Sequence, residues 1–117
     1  MLALIDQTLQ SCNKHSSALT DSEINLLMPQ LNGWIIQNND GIKMLTKTFN
    51  FNNFSDALKF ANLIGQFSDS ENHHPCICIE WGQANISWWT HIISGLFIND
   101  FIMAAKCDAA YEGKLSK

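Results

Sequence analysis

Two histidines stand side by side in Glu71-Asn72-His73-His74-Pro75, and a third, His91, closes the Trp-rich run Ser87-Trp88-Trp89-Thr90-His91. An imidazole titrates near pH ~6.5, so neighbouring rings can hold a base and an acid together near neutral pH. Three of them in one pocket suit the elimination or addition of water. They also suit a metal, because three imidazoles with Cys76 or Cys78 satisfy a tetrahedral zinc ion. Spacing speaks against that reading: Cys-x-Cys on a strand is not a zinc knuckle, and the chain has no HExxH, Cys-x-x-Cys or carboxylate facial triad. The plain alternative is packing, since an isolated strand histidine is most often a surface or hydrogen-bonded structural residue. A Gly-rich phosphate loop and a Gly-x-Ser-x-Gly elbow are both absent.

The elements around these histidines decide what they can share. Cys76 to Trp81 and Ala84 to His91 read as two strands about a two-residue loop, Gly82-Gln83, with glycine first as in a type II′ turn. That loop pairs Trp81 with Ala84, and the same register carried outward sets His74 directly across from His91. Alternation places Ile77, Ile79, Trp81, Ala84, Ile86 and Trp88 on a core face, and Cys76, Cys78, Glu80, Asn85, Ser87 and Trp89 with His74 and His91 on the other. Pro75 biases His74 towards extended backbone, so His73 joins the same pocket only from the preceding loop, Asp69 to Asn72.

Further upstream, Thr20-Asp21-Ser22-Glu23 has capping-box spacing, and the helix it opens is expected to stop at Pro29. Gly33 to Gln37 and Ile42 to Phe51 read as a hairpin about Asn39-Asp40-Gly41. Phe54, Ala57, Leu58, Ala61 and Ile64 fall at helical spacing after an Asn52 or Asn53 cap, predicting a long helix to about Ser68. Phe101, Ile102, Ala105 and Ala109 define a last helix ending near Gly113, followed by a short basic tail. Two hairpins separated by helices predict an α+β fold, a four-stranded antiparallel sheet with helices on one face. The 117 residues suit a single domain, with residues 1–17 as a loosely held N-terminal extension and 18–112 as its core.

Seven lysines, no arginine and eleven acidic residues leave a net charge of −4, which disfavours direct nucleic-acid binding by phosphate neutralisation. The start, MLALIDQTLQ, has no basic flank and its apolar run is broken by Asp6, so neither a signal peptide nor a membrane anchor is expected. The setting these features imply is cytoplasmic, with Cys12, Cys76, Cys78 and Cys107 as reduced thiols.

The pair in ENHHP, then Thr90-His91, Gly95-Leu96 and Asp100, resembles the signature of the pterin-4a-carbinolamine dehydratases. Leu27-Met28-Pro29-Gln30-Leu31-Asn32-Gly33-Trp34 is similar to that family's Leu-x-Pro-x-Leu-x-Gly-Trp segment. Phe49, Phe51, Phe54, Ala57 and Phe60 follow its aromatic strand-to-helix pattern. The resemblance spans about residues 18 to 112. It implies dehydration of 4a-hydroxytetrahydrobiopterin to quinonoid dihydropterin, without metal or organic cofactor, recycling the cofactor of aromatic amino acid hydroxylases. It also implies a homodimer or homotetramer. Carried over residue by residue, it makes His74 the main acid/base group and His73 and His91 pterin-binding and proton-transfer partners. Asp100 then orients or polarises a histidine.

Phe97 departs from the family pattern, which has a hydroxyl residue there to cap the last helix with the aspartate three residues on. Either Asn99 becomes the cap and the helix starts later, or Asp100 is held by the active site alone. Ser68-Asp69 replaces the Ala-Glu of many relatives, keeping an acid on a shorter stem. Trp89, near His91, suits either stacking on a pterin or a subunit interface. Animal members of the family also act as dimerisation partners of a transcription factor, so a non-enzymatic interaction protein on the same scaffold is the alternative function.

Overall fold

The computed structural model describes residues 2–113. Met1 and residues 114–117, including the expected basic tail, lie outside the described residues. The chain runs through α1 (Asp21–Leu27), β1 (Ile35–Asn39), β2 (Ile42–Asn50), α2 (Phe54–Glu71), β3 (Cys76–Glu80), β4 (Gln83–Trp88) and α3 (Ile98–Tyr111), with short 3-10 turns at Leu4–Asp6, Met28–Gln30 and His91–Ile93. The sheet is antiparallel in the order β1-β2-β4-β3. Helices α2 and α3 pack on its apolar face, as the two-hairpin pattern predicts. Among the described residues no helix is long and apolar enough to cross a membrane.

Local chemistry sets most boundaries. The Thr20 side chain accepts from Glu23 N–H while the Glu23 carboxylate accepts from Thr20 N–H, the reciprocal cap that opens α1. Asp40 and Gly41 both take positive φ, as a two-residue I′ hairpin loop requires. Asn53 caps α2 through its side-chain oxygen on Asp56 N–H.

The core lies between sheet and helices. Leu45, Phe49, Ile86 and Trp88 from the strands meet Ile64, Phe101, Ile102 and Cys107 from the helices, all essentially buried. Trp88 spends its indole N–H on the Cys107 sulfur at 3.3 Å, so a buried polar group is satisfied inside the core. Lys47 also starts on this apolar face. Its stem packs inward while its ammonium reaches Asp108 at 2.8 Å and the Asn32 carbonyl at 2.7 Å.

Five expectations need correction. The β3–β4 loop is Trp81-Gly82, not Gly82-Gln83, because Gln83 is held between Glu80 of β3 and Asn50 of β2, and Gly82 takes φ +76° as the second loop residue. Register therefore pairs Glu80 with Gln83 and Cys76 with Ser87, which preserves which residues share a face but no longer sets His74 opposite His91. Trp81, expected in the core, sits in the turn at 72% exposure.

Helix α2 continues past Ser68 to Glu71, because Asn72 adopts the left-handed conformation and closes the helix end. The N-terminal stretch is not loosely held. Leu4 is 2% exposed in the core cluster, its turn lies on α3, and Leu9 and Leu19 pack against the same cluster.

Two outcomes follow from these contacts. Thr20→Ala should lower unfolding free energy by about 1 kcal/mol in a urea titration, with an unchanged m-value. The four cysteines are free thiols, and burial pushes the Cys107 thiol well up, more than the Trp88 N–H bond offsets. A maleimide at neutral pH should therefore label Cys76 and Cys78 in the native protein and reach Cys107 only after unfolding, as read by peptide mass spectrometry. Native-state labelling of Cys107 would contradict this packing.

Candidate active site

The two adjacent histidines leave the chain at a helix end. His73 N–H reaches back to the Ser68 carbonyl at 3.2 Å and Asn72 N–H to that of Asp69 at 3.3 Å, the paired bonds of a Schellman motif with asparagine in the left-handed position. This closure turns His73 inward. Its Nε2 lies 2.6 Å from Asp100 Oδ1, and its ring stacks on Trp88 with centroids 5.4 Å apart at 25°.

Asp100 is fully buried at the start of α3. Its other oxygen accepts from Thr90 Oγ at 2.7 Å and from Phe97 N–H at 2.9 Å. Phe97 therefore remains the capping position although its side chain cannot cap, and Asp100 supplies the helix-opening bond alone. The helix starts at Ile98 and is not delayed to Asn99; only the Asp100 half of the reciprocal cap is made. Because a carboxylate only accepts, the His73 contact requires a proton on Nε2, which leaves Nδ1 as the nitrogen free for exchange.

His74 makes a second and different pair. Its side chain is 56% exposed and its Nε2 stands 2.9 Å from Asp69 Oδ1, one turn back on α2. His91 is carried not by the strand but by the 3-10 turn after it, in a loop closed by Thr90 N–H to the Gly95 carbonyl at 2.8 Å and a return bond at 3.4 Å. Its ring lies flat on Trp89, with centroids 4.5 Å apart at 5°.

His73, His74 and His91 line one cavity of about 510 Å³, together with Thr90, Asn72 and Glu71. The volume is within the usual range for small-molecule sites. Asp100 and Trp89, both expected as site residues, do not line it: Asp100 acts from beneath His73, and Trp89 backs His91. Sequence reasoning missed Asp69 as a histidine partner, although its place one turn before the helix end was available as a signal. It also missed Leu9, Gln10 and Cys12, which line the same cavity and carried no motif. Among the described residues, no three His, Cys, Asp or Glu side chains form a metal-holding group.

The chain matches the family model of pterin 4 alpha carbinolamine dehydratases over residues 17–110. It is 40% identical over 113 residues to a Saccharophagus degradans protein provisionally named a pterin-4-alpha-carbinolamine dehydratase, covering 97% of this chain and all of that one. A Vibrio cholerae protein with the same provisional name is 44% identical over 100 residues, 86% of this chain and 92% of its own. Among solved structures, a transcriptional coactivator/pterin dehydratase from Brucella melitensis superposes with a TM-score of 0.71 at 31% identity, over 80% of this chain and 97% of that one. A pterin dehydratase-like RuBisCO assembly factor of the alpha-carboxysome shares the fold at a TM-score of 0.58 and 22% identity, over 72% of this chain and 94% of its own. With the family model covering most of its length and relatives this similar matched nearly end to end, the chain belongs to the pterin-4a-carbinolamine dehydratase family.

Proposed function

We propose that the protein dehydrates 4a-hydroxytetrahydrobiopterin to quinonoid dihydropterin by histidine acid/base catalysis, recycling the cofactor of aromatic amino acid hydroxylases. The observation that carries this reading is the convergence of His73, His74 and His91 on one cavity, two of them with a carboxylate partner. In the reaction a base removes the N5 proton, an acid delivers a proton to the hydroxyl on the neighbouring ring carbon, and water leaves as the N5=C4a double bond forms. One proton is taken from N5 and one is given to the departing hydroxyl, so the reaction balances without a cofactor; acid and base end with exchanged protonation states and reset by proton transfer through solvent before the next turnover.

Exposed at the cavity edge and paired with Asp69, His74 is the main acid/base group. His73 is held by Asp100 in one tautomer and one orientation, which suits binding the pterin and assisting proton transfer. His91, flat on Trp89, offers a planar surface to a planar heterocycle. Asp100 and Trp89 are positioning residues in this scheme. Assembly into a homodimer or homotetramer and a place in the cytoplasm belong to the same reading. A non-enzymatic interaction role, as the coactivator name of the Brucella relative suggests for that protein, is the second reading; it gives no reason for a histidine cavity.

The test is the rate of quinonoid dihydropterin formation from freshly generated carbinolamine. Wild type should accelerate it, and folded His74→Ala should lose about 10²-fold or more in kcat. Asp100→Asn should lower kcat more than it raises KM, and should cost about 1–3 kcal/mol of stability because one buried donor loses its acceptor. A folded wild type that produces no acceleration would falsify the enzymatic reading.

A further inference from the structure

The pocket is not built from the family-matched region alone. That region starts at residue 17, yet Leu9, Gln10 and Cys12 line the same cavity as the three histidines. Their placement is anchored at several points. Leu4 is buried against α3 at one end. Asn99, 6% exposed, clamps the middle: its Oδ1 accepts Gln10 N–H at 2.7 Å and its Nδ2 donates to the Gln10 carbonyl at 2.8 Å. A turn held by the Asn13 and Ser16 side chains reverses the strand of chain, and Leu19 N–H bonds the Leu96 carbonyl at 2.8 Å. Gly95 makes that last approach feasible, since a Cβ there would stand 2.9 Å from the Ala18 methyl carbon.

Asn99 and Asp100 are consecutive residues of the first turn of α3. One fixes Gln10 and the other fixes His73, so a single helix start sets the spacing between the N-terminal wall and the histidine wall. The N-terminal part of the lining carries no acid/base group of the proposed reaction, so it is free to read whatever the substrate carries beyond its bicyclic ring. In a pterin, the carbon that bears the variable side chain, C6, is bonded directly to N5, where the proton is removed. A ring placed for chemistry at the histidines necessarily brings that side chain close to the cavity walls.

We infer that residues 9–12, held by Asn99, are a substrate-specificity strap that contacts the C6 substituent of the pterin. The inference rests on the dehydratase reading for the identity of the ligand, and its test therefore includes binding as well as turnover. Wild type, Cys12→Trp and Asn99→Ala are compared with two ligands differing only at C6, one bearing methyl and one the dihydroxypropyl chain. Equilibrium binding uses the stable 7,8-dihydropterins, turnover the matching carbinolamines, and thermal melts establish that each variant is folded.

Cys12→Trp should weaken the dihydroxypropyl ligand by about tenfold or more relative to the methyl one, in Kd and in KM. Asn99→Ala should narrow the wild-type preference between the two ligands. Variants that bind both with an unchanged ratio would overturn the strap. A wild type that binds dihydropterins but accelerates nothing would refute the dehydratase reading while leaving the strap judged by its binding ratios. A wild type that binds neither ligand would overturn both.

Discussion

Everything near the cavity depends on one buried carboxylate. Asp100 has no contact with solvent, and a charge in such a place is tolerated only when its oxygens are met by donors. Here the donors come from three directions: His73 beyond the end of α2, Thr90 just past β4, and the Phe97 amide at the entry to α3. Removing one partner of a buried ionic group typically costs about 3–5 kcal/mol, far more than an exposed pair contributes. The carboxylate thus fastens three elements at one point, and the two histidine-bearing segments are held relative to each other through it.

The histidine pairs show how position divides labour between like residues. His73 is stacked on a core tryptophan and bonded to a buried acid, whereas His74, the next residue, is half in solvent beside an exposed acid. The difference originates in the left-handed Asn72. It ends α2, turns the chain by a step that few residues adopt without strain, and sends two adjacent side chains to opposite environments. Pro75 then commits the chain to the extended course of β3.

Much of this is legible in the sequence. Periodicity located the helices, Asp40-Gly41 located the first hairpin, and the histidines announced themselves by spacing. What escaped was decided between elements. The β3–β4 register turned on whether Gln83 belongs to a loop or a ladder, and only its second partner, Asn50 in β2, settles that. Alternation of the preceding residues carries the expected strand to His91; the strand ends at Trp88, and the bridge between Thr90 and Gly95 closes a loop around His91 instead. The N-terminal stretch has weak periodicity and many polar residues. Its order comes from Asn99, distant in sequence, and no local pattern could reveal it.

The clamp between Gln10 and Asn99 spans 89 positions, which has a bearing on how the molecule is made. On the ribosome the wall residues and the histidine pair emerge long before the helix start that orders them both. Until α3 has left the exit tunnel, the nascent chain carries the ingredients of the cavity without its geometry. Completion of the site therefore waits on α3, and the cavity takes its geometry only after the residues of all four strands have been made.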